Sequence, residues 1–335
     1  MSTTNHSIIA VPDSDGSPYV GIDVAKDKLD LARSDVPTTV EVFSNDPAGI
    51  GRIVQLMIAA RPVMIVVEST GGLERPLLDA LLEANLPVAL VHPGRVRYFA
   101  KALGILAKTD RIDARVLVRF GQQAAPRLLE RRTKNELELR DLIACRRQLN
   151  VTRTQQSNRR GITASTAALR SIDAVLTTLD KQIDSLDQQI RKLIDADDDF
   201  KHLDGLLQSV PGVGPTLAAT LAADLRELGE ADRQRVCALV GVAPFAADSG
   251  TVKGKRAIRG GRADVRGVLY MATLAAIRFN PIIRAFAQRL KAAGKLNKVM
   301  IVACMRKLLS LLNAMVRDGL AWHQLEVVKK LVPTP

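Results

Sequence analysis

The sequence predicts an α/β domain built on a mixed sheet, followed by an all-α half, and two patterns carry that expectation. Between residues 19 and 91, three short β-type runs come first, and later ones alternate with helical stretches. From about residue 131 onward the β-type runs give way to apolar residues recurring at helical spacing.

Taken in order, residues 1–18 are rich in Ser, Thr, Asp and Pro and read as a loose tail. Tyr19–Asp23, Lys28–Arg33 and Thr39–Phe43 read as strands, with a turn at Lys26–Asp27. Asp46–Ala60 reads as a helix capped by Asn45 or Asp46. Val63–Val67 is an all-apolar buried strand, Leu73–Ala84 a helix and Pro87–Val91 another strand. A helical stretch from Gly94 is interrupted near Gly104, and a further helix covers Thr109–Phe120. A three-strand meander followed by alternating helix and strand matches the ribonuclease-H-like fold, an order shared with actin-like kinases.

The middle of the chain carries Leu169, Ile172, Leu176, Leu179, Ile183, Leu186, Ile190 and Leu193, spaced alternately by three and four. That heptad seam is the pattern of a coiled coil. A more basic helical arm over Lys134–Arg160 precedes it, with Gly161 as a candidate turn. A basic arm beside an acidic one suggests an antiparallel hairpin, a dimer seam, or both; a plain spacer is the simpler alternative. Beyond it, Leu203–Leu225 contains Val210-Pro211-Gly212-Val213-Gly214-Pro215 and then an Ala-rich run, the pattern of a helix-hairpin-helix. In such a motif Gly212 and Gly214 let backbone N–H groups approach a phosphate; an ordinary helical turn would use the same glycines. The expected organisation is a tail (1–18), a mixed-sheet α/β domain (19–130), a coiled-coil region (131–200), a mainly helical C-terminal domain (201–325) and a second tail (326–335).

The chain carries 48 Lys and Arg against 35 Asp and Glu, a net charge of +13. Its 47% apolar content allows a real core, while 3% aromatic residues argue against rows of rings that stack single-stranded bases. The charge-free stretch 206–223 is broken by Pro211, Gly212, Gly214 and Pro215, so no membrane span is expected, and no secretory pattern opens the chain. Cys145, Cys237 and Cys304 are odd in number and lack CxxC spacing, which points to a reducing compartment without a zinc site. A cytoplasmic, nucleoid-associated protein with a polyanionic partner is the expectation. Val265–Arg317 has ten Lys or Arg and no acid in 53 residues, and 251–270 has six basic residues against Asp264. A single basic run is usually a solvated face; several in the latter part of the chain favour phosphate contacts.

The chemistry is expected from carboxylates. Asp23 ends the first strand, Glu68 follows the buried strand Val63–Val67, and Asp110 and Asp113 lie three apart on one helix face. Each alone reads as a surface or capping residue, and Asp27, Asp30 and Glu74 are nearby decoys. Gathered together, four acids need cations, and oxygen-only donors suit Mg²⁺ or Mn²⁺. A pair of such ions about 3.5–4 Å apart can activate a nucleophile and stabilise the leaving oxygen of a phosphodiester.

The strings Gly21-Ile22-Asp23-Val24-Ala25-Lys26, Glu68-Ser69-Thr70-Gly71 and Lys108-Thr109-Asp110-Arg111-Ile112-Asp113 resemble the DEDD transposases of the IS110 family of bacterial insertion sequences, whose RuvC-like domain is related to the Piv DNA invertases. The resemblance implies that Asp23, Glu68, Asp110 and Asp113 bind Mg²⁺. Gly241-Val242-Ala243-Pro244, Asp248-Ser249-Gly250, Gly254-Lys255-Arg256 and Gly260-Gly261-Arg262 resemble the family's C-terminal transposase domain and imply Ser249 as nucleophile, acting through a covalent phosphoserine in a composite site. Ser249 on its own, in a Gly-containing loop, would read as structural. His6, His92, His202 and His323 are all distant in sequence, so no Ser–His dyad is indicated. The resemblance covers roughly residues 19–320. It also implies a structured non-coding RNA that pairs with donor and target DNA, leaving the protein to read shape and backbone.

The expected partners are double-stranded DNA, such an RNA, and further copies of the chain as a dimer or tetramer through the coiled coil. Gly212, Gly214, Lys253, Lys255, Arg256, Arg259, Arg262 and Arg266 are the expected nucleic-acid contacts. Three other functions compete. A RuvC-type junction nuclease would use metal-activated water and leave Ser249 a bystander. An actin-like kinase would need Gly and Thr after Asp23, where Ala25-Lys26-Asp27 stands instead. An architectural DNA-binding protein would leave the four acids unexplained.

Overall fold

The computed structural model describes residues 16–105, 109–246, 254 and 256–324, with the backbone alone for Asp110 and Arg111. Ser249, Lys253, Lys255 and both expected tails, apart from residues 16–18, lie outside the described residues. Two compact units divide the chain, residues 1–132 and 133–335.

The first unit holds a five-stranded mixed sheet. Strands β1 (Tyr19–Val24), β2 (Lys28–Arg33) and β3 (Val40–Ser44) form the antiparallel meander. Helix α1 (Pro47–Ala60) starts where the Asp46 carboxylate accepts from the Gly49 amide at 2.8 Å, and it leads into β4 (Met64–Glu68). Then come α2 (Arg75–Glu83), β5 (Val88–Val91), α3 (Pro93–Ala102) and α4 (Asp110–Ala124). The sheet order is β3-β2-β1-β4-β5, with β4 parallel to both β1 and β5. Alternation of side chains across the sheet makes two cores. Val20, Ile22, Ile65 and Val67 join the apolar faces of α1 and α2, while Val66, Ala89 and Val91 meet α3 and α4 on the other side.

Across β1, α4 sits at close range, and two glycines make that possible. A Cβ on Gly21 would lie 2.7 Å from Leu117 Cβ and 2.8 Å from the Val118 nitrogen, and one on Gly121 would lie 2.9 Å from Val66. Gly21 and Gly121 therefore set the height of α4 above the sheet.

The second unit is helical. Its opening helix α5 (Lys134–Ile162) begins at a capping box in which Thr133 and Glu136 each accept the other's amide. After a turn, α6 (Thr166–Ala196) returns antiparallel to it. Arg146 pairs with Asp187, Arg153 with Asp180, and Arg160 with Asp173 at 2.6 Å. The arginines advance by seven residues as the aspartates retreat by seven, so the basic and acidic arms form one ladder of ion pairs. Every position of the Leu169–Leu193 seam is at least half-buried, consistent with its facing α5. Gly161 does not turn the chain: α5 runs on to Ile162, and the turn falls at Thr163–Ser165, with Ser165 capping α6.

Helices α7 (Asp198–Gln208) and α8 (Pro215–Asp224) follow, then α9 (Arg233–Val240), a ribbon of β6 (Pro244–Phe245) and β7 (Ala257–Ile258), α10 (Ala263–Phe279), α11 (Pro281–Ala292) and α12 (Asn297–Asp318). The small side chains of α8 let two layers approach it. Ala219, Ala222 and Ala223 meet Leu139, Ile143, Ile190 and Ile194 of the arm, while Leu217, Ala218 and Leu221 join the main core. Helix α12 is long and apolar enough to cross a bilayer by length and composition. Cys304, Met305, Leu308, Leu309, Leu312 and Met315 nevertheless pack into the core of this unit, as a central helix of a folded domain does.

Candidate active site

Two of the four predicted acids share one face of the first unit's sheet, and a third sits on the helix that covers that face. Ile22 is paired with Val67 in the parallel β1–β4 ladder, so Asp23 and Glu68 are the next residues on adjacent strands. Neighbouring strands lie about 4.8 Å apart, and paired residues share a face. Gly21 and Val66, each two residues earlier, touch α4, so Asp23 and Glu68 lie on the α4 face as well. Asp113 sits in the first turns of α4, next to Ala114, whose carbonyl approaches Gly21. All three acids are partly exposed, as groups reached by a ligand must be. Asp110 begins α4, where Thr109 Oγ1 caps the Ile112 amide at 3.3 Å; its side chain lies outside the described atoms.

Among the described residues, no three His, Cys, Asp or Glu side chains are already gathered as a metal cluster. The donors at this edge are all carboxylate oxygens, the set that a hard divalent cation takes.

Of the acids set aside in the sequence, two have defined places. The buried Glu74 Oε2 accepts from the Thr70 amide at 3.0 Å and the Gly72 amide at 2.9 Å, and so shapes the loop after Glu68. Asp30 stands directly opposite Asp23 in the β1–β2 ladder and is 1% exposed. Lys28 Nζ lies 2.9 Å from its Oδ2 as an ion pair, though out of hydrogen-bond alignment. The signal for Asp30 was in the sequence: two strands around a short turn have a countable register, and counting places residue 30 across from residue 23.

In the second unit the matched glycine strings are brought together. Gly241 ends α9 at φ +76, and a Cβ on Gly261 would fall 2.5 Å from Gly241 Cα. The Arg262 amide donates to the Leu239 carbonyl at 2.8 Å, and Arg266 Nη1 donates to the carbonyls of Gly260 at 2.7 Å and Val240 at 3.2 Å. Arg262 holds Glu227 through two bonds of 2.7 Å each. Arg262 and Arg266 thus fasten this segment to α9, whereas Arg256 and Arg259 are exposed beside the β6–β7 ribbon. The two strands of the ribbon flank Ser249 in the sequence.

Gly212 and Gly214 have different roles in the turn between α7 and α8. Gly212 adopts φ +93, and a Cβ there would lie 2.5 Å from the Ala276 backbone of α10, so it is a close-packing glycine. Gly214 is the N-cap of α8, with no side-chain cap and open space around it. A cleft of about 460 Å³ opens on that first turn, lined by Pro215 and Thr216 together with Arg146, Arg147 and Arg191.

Two family models match the chain: one described as "Transposase", for the DEDD transposases of IS110, covers residues 20–161. The second, "Transposase IS116/IS110/IS902 family", covers residues 204–288. The pilin gene-inverting protein of Moraxella bovis is 30% identical over 90% of this chain and 96% of its own length. Its counterpart in Moraxella lacunata is 29% identical, again over 90% of this chain and 96% of its own length. The uncharacterized 43.6 kDa protein of insertion element IS110 from Streptomyces coelicolor is 30% identical over 35% of this chain and 29% of its own length. Among solved structures, T. thermophilus RuvC in complex with Holliday junction substrate aligns over 33% of this chain and 99% of its own, with a TM-score of 0.24 and 18% identity. With both family models in order along the chain and a relative matched nearly end to end, this protein belongs to the IS110 family of transposases and DNA-inverting recombinases, enzymes that act on DNA.

Proposed function

We propose that this recombinase breaks and rejoins DNA strands of an insertion element with Ser249 as nucleophile and with Asp23, Glu68, Asp110 and Asp113 as the ligands of a divalent ion, Mg²⁺ or Mn²⁺. The observation that carries the reading is the register of the sheet: Asp23 and Glu68 leave adjacent strands on the face that α4 covers. The sheet order, three antiparallel strands then two parallel, agrees with the ribonuclease-H-like fold expected from the element order.

An ion held by these carboxylates would supply Lewis-acid stabilisation to the oxygens of the reacting phosphate. Ser249 Oγ forms the new bond to phosphorus while a strand oxygen leaves and takes up a proton. Attack by the hydroxyl of the incoming strand reverses that exchange and frees the serine. Bond energy is retained in the phosphoserine, so the reaction consumes no nucleotide cofactor.

Arg256 and Arg259 are exposed beside the β6–β7 ribbon, which supports a role for them in holding phosphates, joined in this reading by Lys253 and Lys255. The open N-terminus of α8 at Gly214 offers a further phosphate contact. Sequence choice is delegated to a structured non-coding RNA, in keeping with a chain rich in Lys and Arg and poor in aromatics. Oligomerisation brings the copies needed for strand exchange.

The test is recombination of a plasmid carrying the element ends, alongside DNA binding. Ser249→Ala should abolish strand exchange and the covalent protein–DNA adduct while leaving binding intact. Recombination at the parental rate by Ser249→Ala would sink the serine mechanism in favour of a metal-activated water. Asp23→Asn should lose cleavage in either case.

A further inference from the structure

We infer that Arg233, Arg289 and Lys307 form a phosphate-binding site for a nucleic-acid backbone, separate from the basic loop around Ser249. The three come from α9, α11 and α12, with Arg233 and Arg289 exposed and Lys307 partly buried, and Arg289 and Lys307 belong to the stretch that has no Asp or Glu.

Lys307 Nζ lies 4.7 Å from the centre of the Phe286 ring, and Arg289 Cζ lies 5.2 Å from the same ring. Two cations therefore share one aromatic face or its two sides, which softens but does not cancel their repulsion. Burial, then the Arg289 and Arg233 guanidiniums, hold the Lys307 ammonium below the ordinary lysine range. Among the described residues no ion pair joins Arg233, Arg289, Lys307 or the neighbouring Arg306 to a carboxylate. Arg306 adds a buried Nε with no hydrogen-bond partner. The nearest acid in sequence, Asp232, spends its carboxylate on the Gln234 and Arg235 amides at the start of α9.

Several other arginines of this unit are matched by a carboxylate: Arg146, Arg153 and Arg160 along the arm, Arg147 with Asp264, Arg191 with Asp204, Arg262 with Glu227. A place where three helices each contribute a cation and none contributes an anion is unfavourable for the free protein. An anion from outside removes that penalty, and the anion carried by the substrate of a DNA-acting enzyme is the phosphodiester. The backbone of a duplex and that of a folded RNA offer the same group.

The experiment titrates the full-length protein with a duplex of arbitrary sequence and, separately, with an RNA hairpin of equal length, over a series of salt concentrations. Lys307→Met, which keeps the chain length over Phe286, and Arg289→Gln, on an exposed position, should each lower the slope of log affinity against log salt by about 0.9 on duplex DNA, or by a like amount on the base-paired hairpin. Lys307→Arg should keep the parental slope. In the absence of nucleic acid, the melting temperatures of the charge-removing variants should equal or exceed the parent's, because a like-charge neighbour is gone. A change confined to the duplex or to the RNA identifies which strand occupies the site. Unchanged slopes on both, or a loss of slope seen only where the variants melt lower than the parent, would overturn the assignment. No strand cleavage enters the measurement, so failure of the serine mechanism leaves the result readable.

Discussion

The two units differ most in their charge. Residues 1–132 contain 16 Lys and Arg against 15 Asp and Glu, and residues 133–335 contain 32 against 20. Nearly the whole surplus of +13 therefore belongs to the helical unit. The sheet unit, which carries the acids, is close to neutral. A carboxylate edge must admit a polyanion, which it does only when cations offset it, so a strongly acidic surround would repel the substrate it serves. In the reading proposed above, the metal-binding acids stand in one unit and most of the grip on nucleic acid in the other, and that division can be tested by substitution.

The largest effect is expected from the acids. Glu68→Gln should reduce strand cleavage by about 10³-fold or more, as loss of a ligand or nucleophile does in metal-assisted reactions. Its affinity for DNA should stay the same or tighten, since a negative charge is removed from the binding face. Arg256→Gln and Arg259→Gln should do the reverse: each lowers the salt slope of DNA binding by about 0.9 and leaves the cleavage rate of bound DNA within a few-fold. If Glu68→Gln weakened binding as much as the arginine changes do, the division of labour would not hold.

Next in size are two glycines, one in each unit. Gly21→Ala forces a Cβ into Leu117 and the backbone of α4, and Gly212→Ala forces one into the backbone of α10 while keeping φ at +93. Overpacking of this kind costs about 1–3 kcal/mol, and a left-handed φ adds about 1 kcal/mol for the alanine at Gly212. Urea unfolding of the full chain should show both losses. Gly21→Ala should also lower cleavage in folded protein, because α4 carries Asp113. A Gly21→Ala protein with parental stability and activity would show that α4 is free to shift.

Much of this arrangement was readable from the chain, and the exceptions have physical causes. Strands β4 and β5 stand out in the sequence as continuous apolar runs, and Lys28–Arg33, which alternates instead, is found over the residues expected. Asp30's position opposite Asp23 is set by register rather than by residue type. Gly161 looked like a turn, but a glycine within a helix costs only about 1 kcal/mol against alanine, and the hydroxyls of Thr163 and Ser165 close and cap the helices better. Charge counts gave the basic character of 251–270 correctly. They could not tell Arg259, which is exposed, from Arg262, which is held by Glu227, because Glu227 is far away in sequence. Pairing is a tertiary property.

A smaller effect is expected at Asp197, where α6 ends and α7 begins. The Asn135 side chain first, then the Phe200 amide, hold its carboxyl below the ordinary aspartate range. A depressed folded value means that this stabilisation is complete above the unfolded value near 4 and is lost as the pH falls through the folded one. Asp197→Ala should cost about 1 kcal/mol near neutral pH, the usual value of a helix cap, and the gap to the parent should close in acid. A gap independent of pH between 2 and 6 would assign the loss to packing.

The smallest effect should come from the arm, and it bears on the comparison most directly, since the arm is the one part of the basic unit where cations are matched rung by rung. Arg153 and Asp180 are both about half exposed, so solvent screens their pair and it contributes little to stability. Arg153→Asp should cost at least as much as the pair contributes, because it sets two aspartates opposite each other. Asp180→Arg sets two arginines together with a similar cost. The double exchange restores an ion pair with the order reversed and should regain most of the stability in a double-mutant cycle. If the arm is held by its seam of Ile172, Ile183 and Ile190 and the ladder only fixes which way the helices run, the coupling will be small and will fall as salt rises. A coupling energy that stays constant from low to high salt would mean that the rungs are shielded from solvent, and that the arm is a second place in this unit where charge is spent on structure instead of nucleic acid.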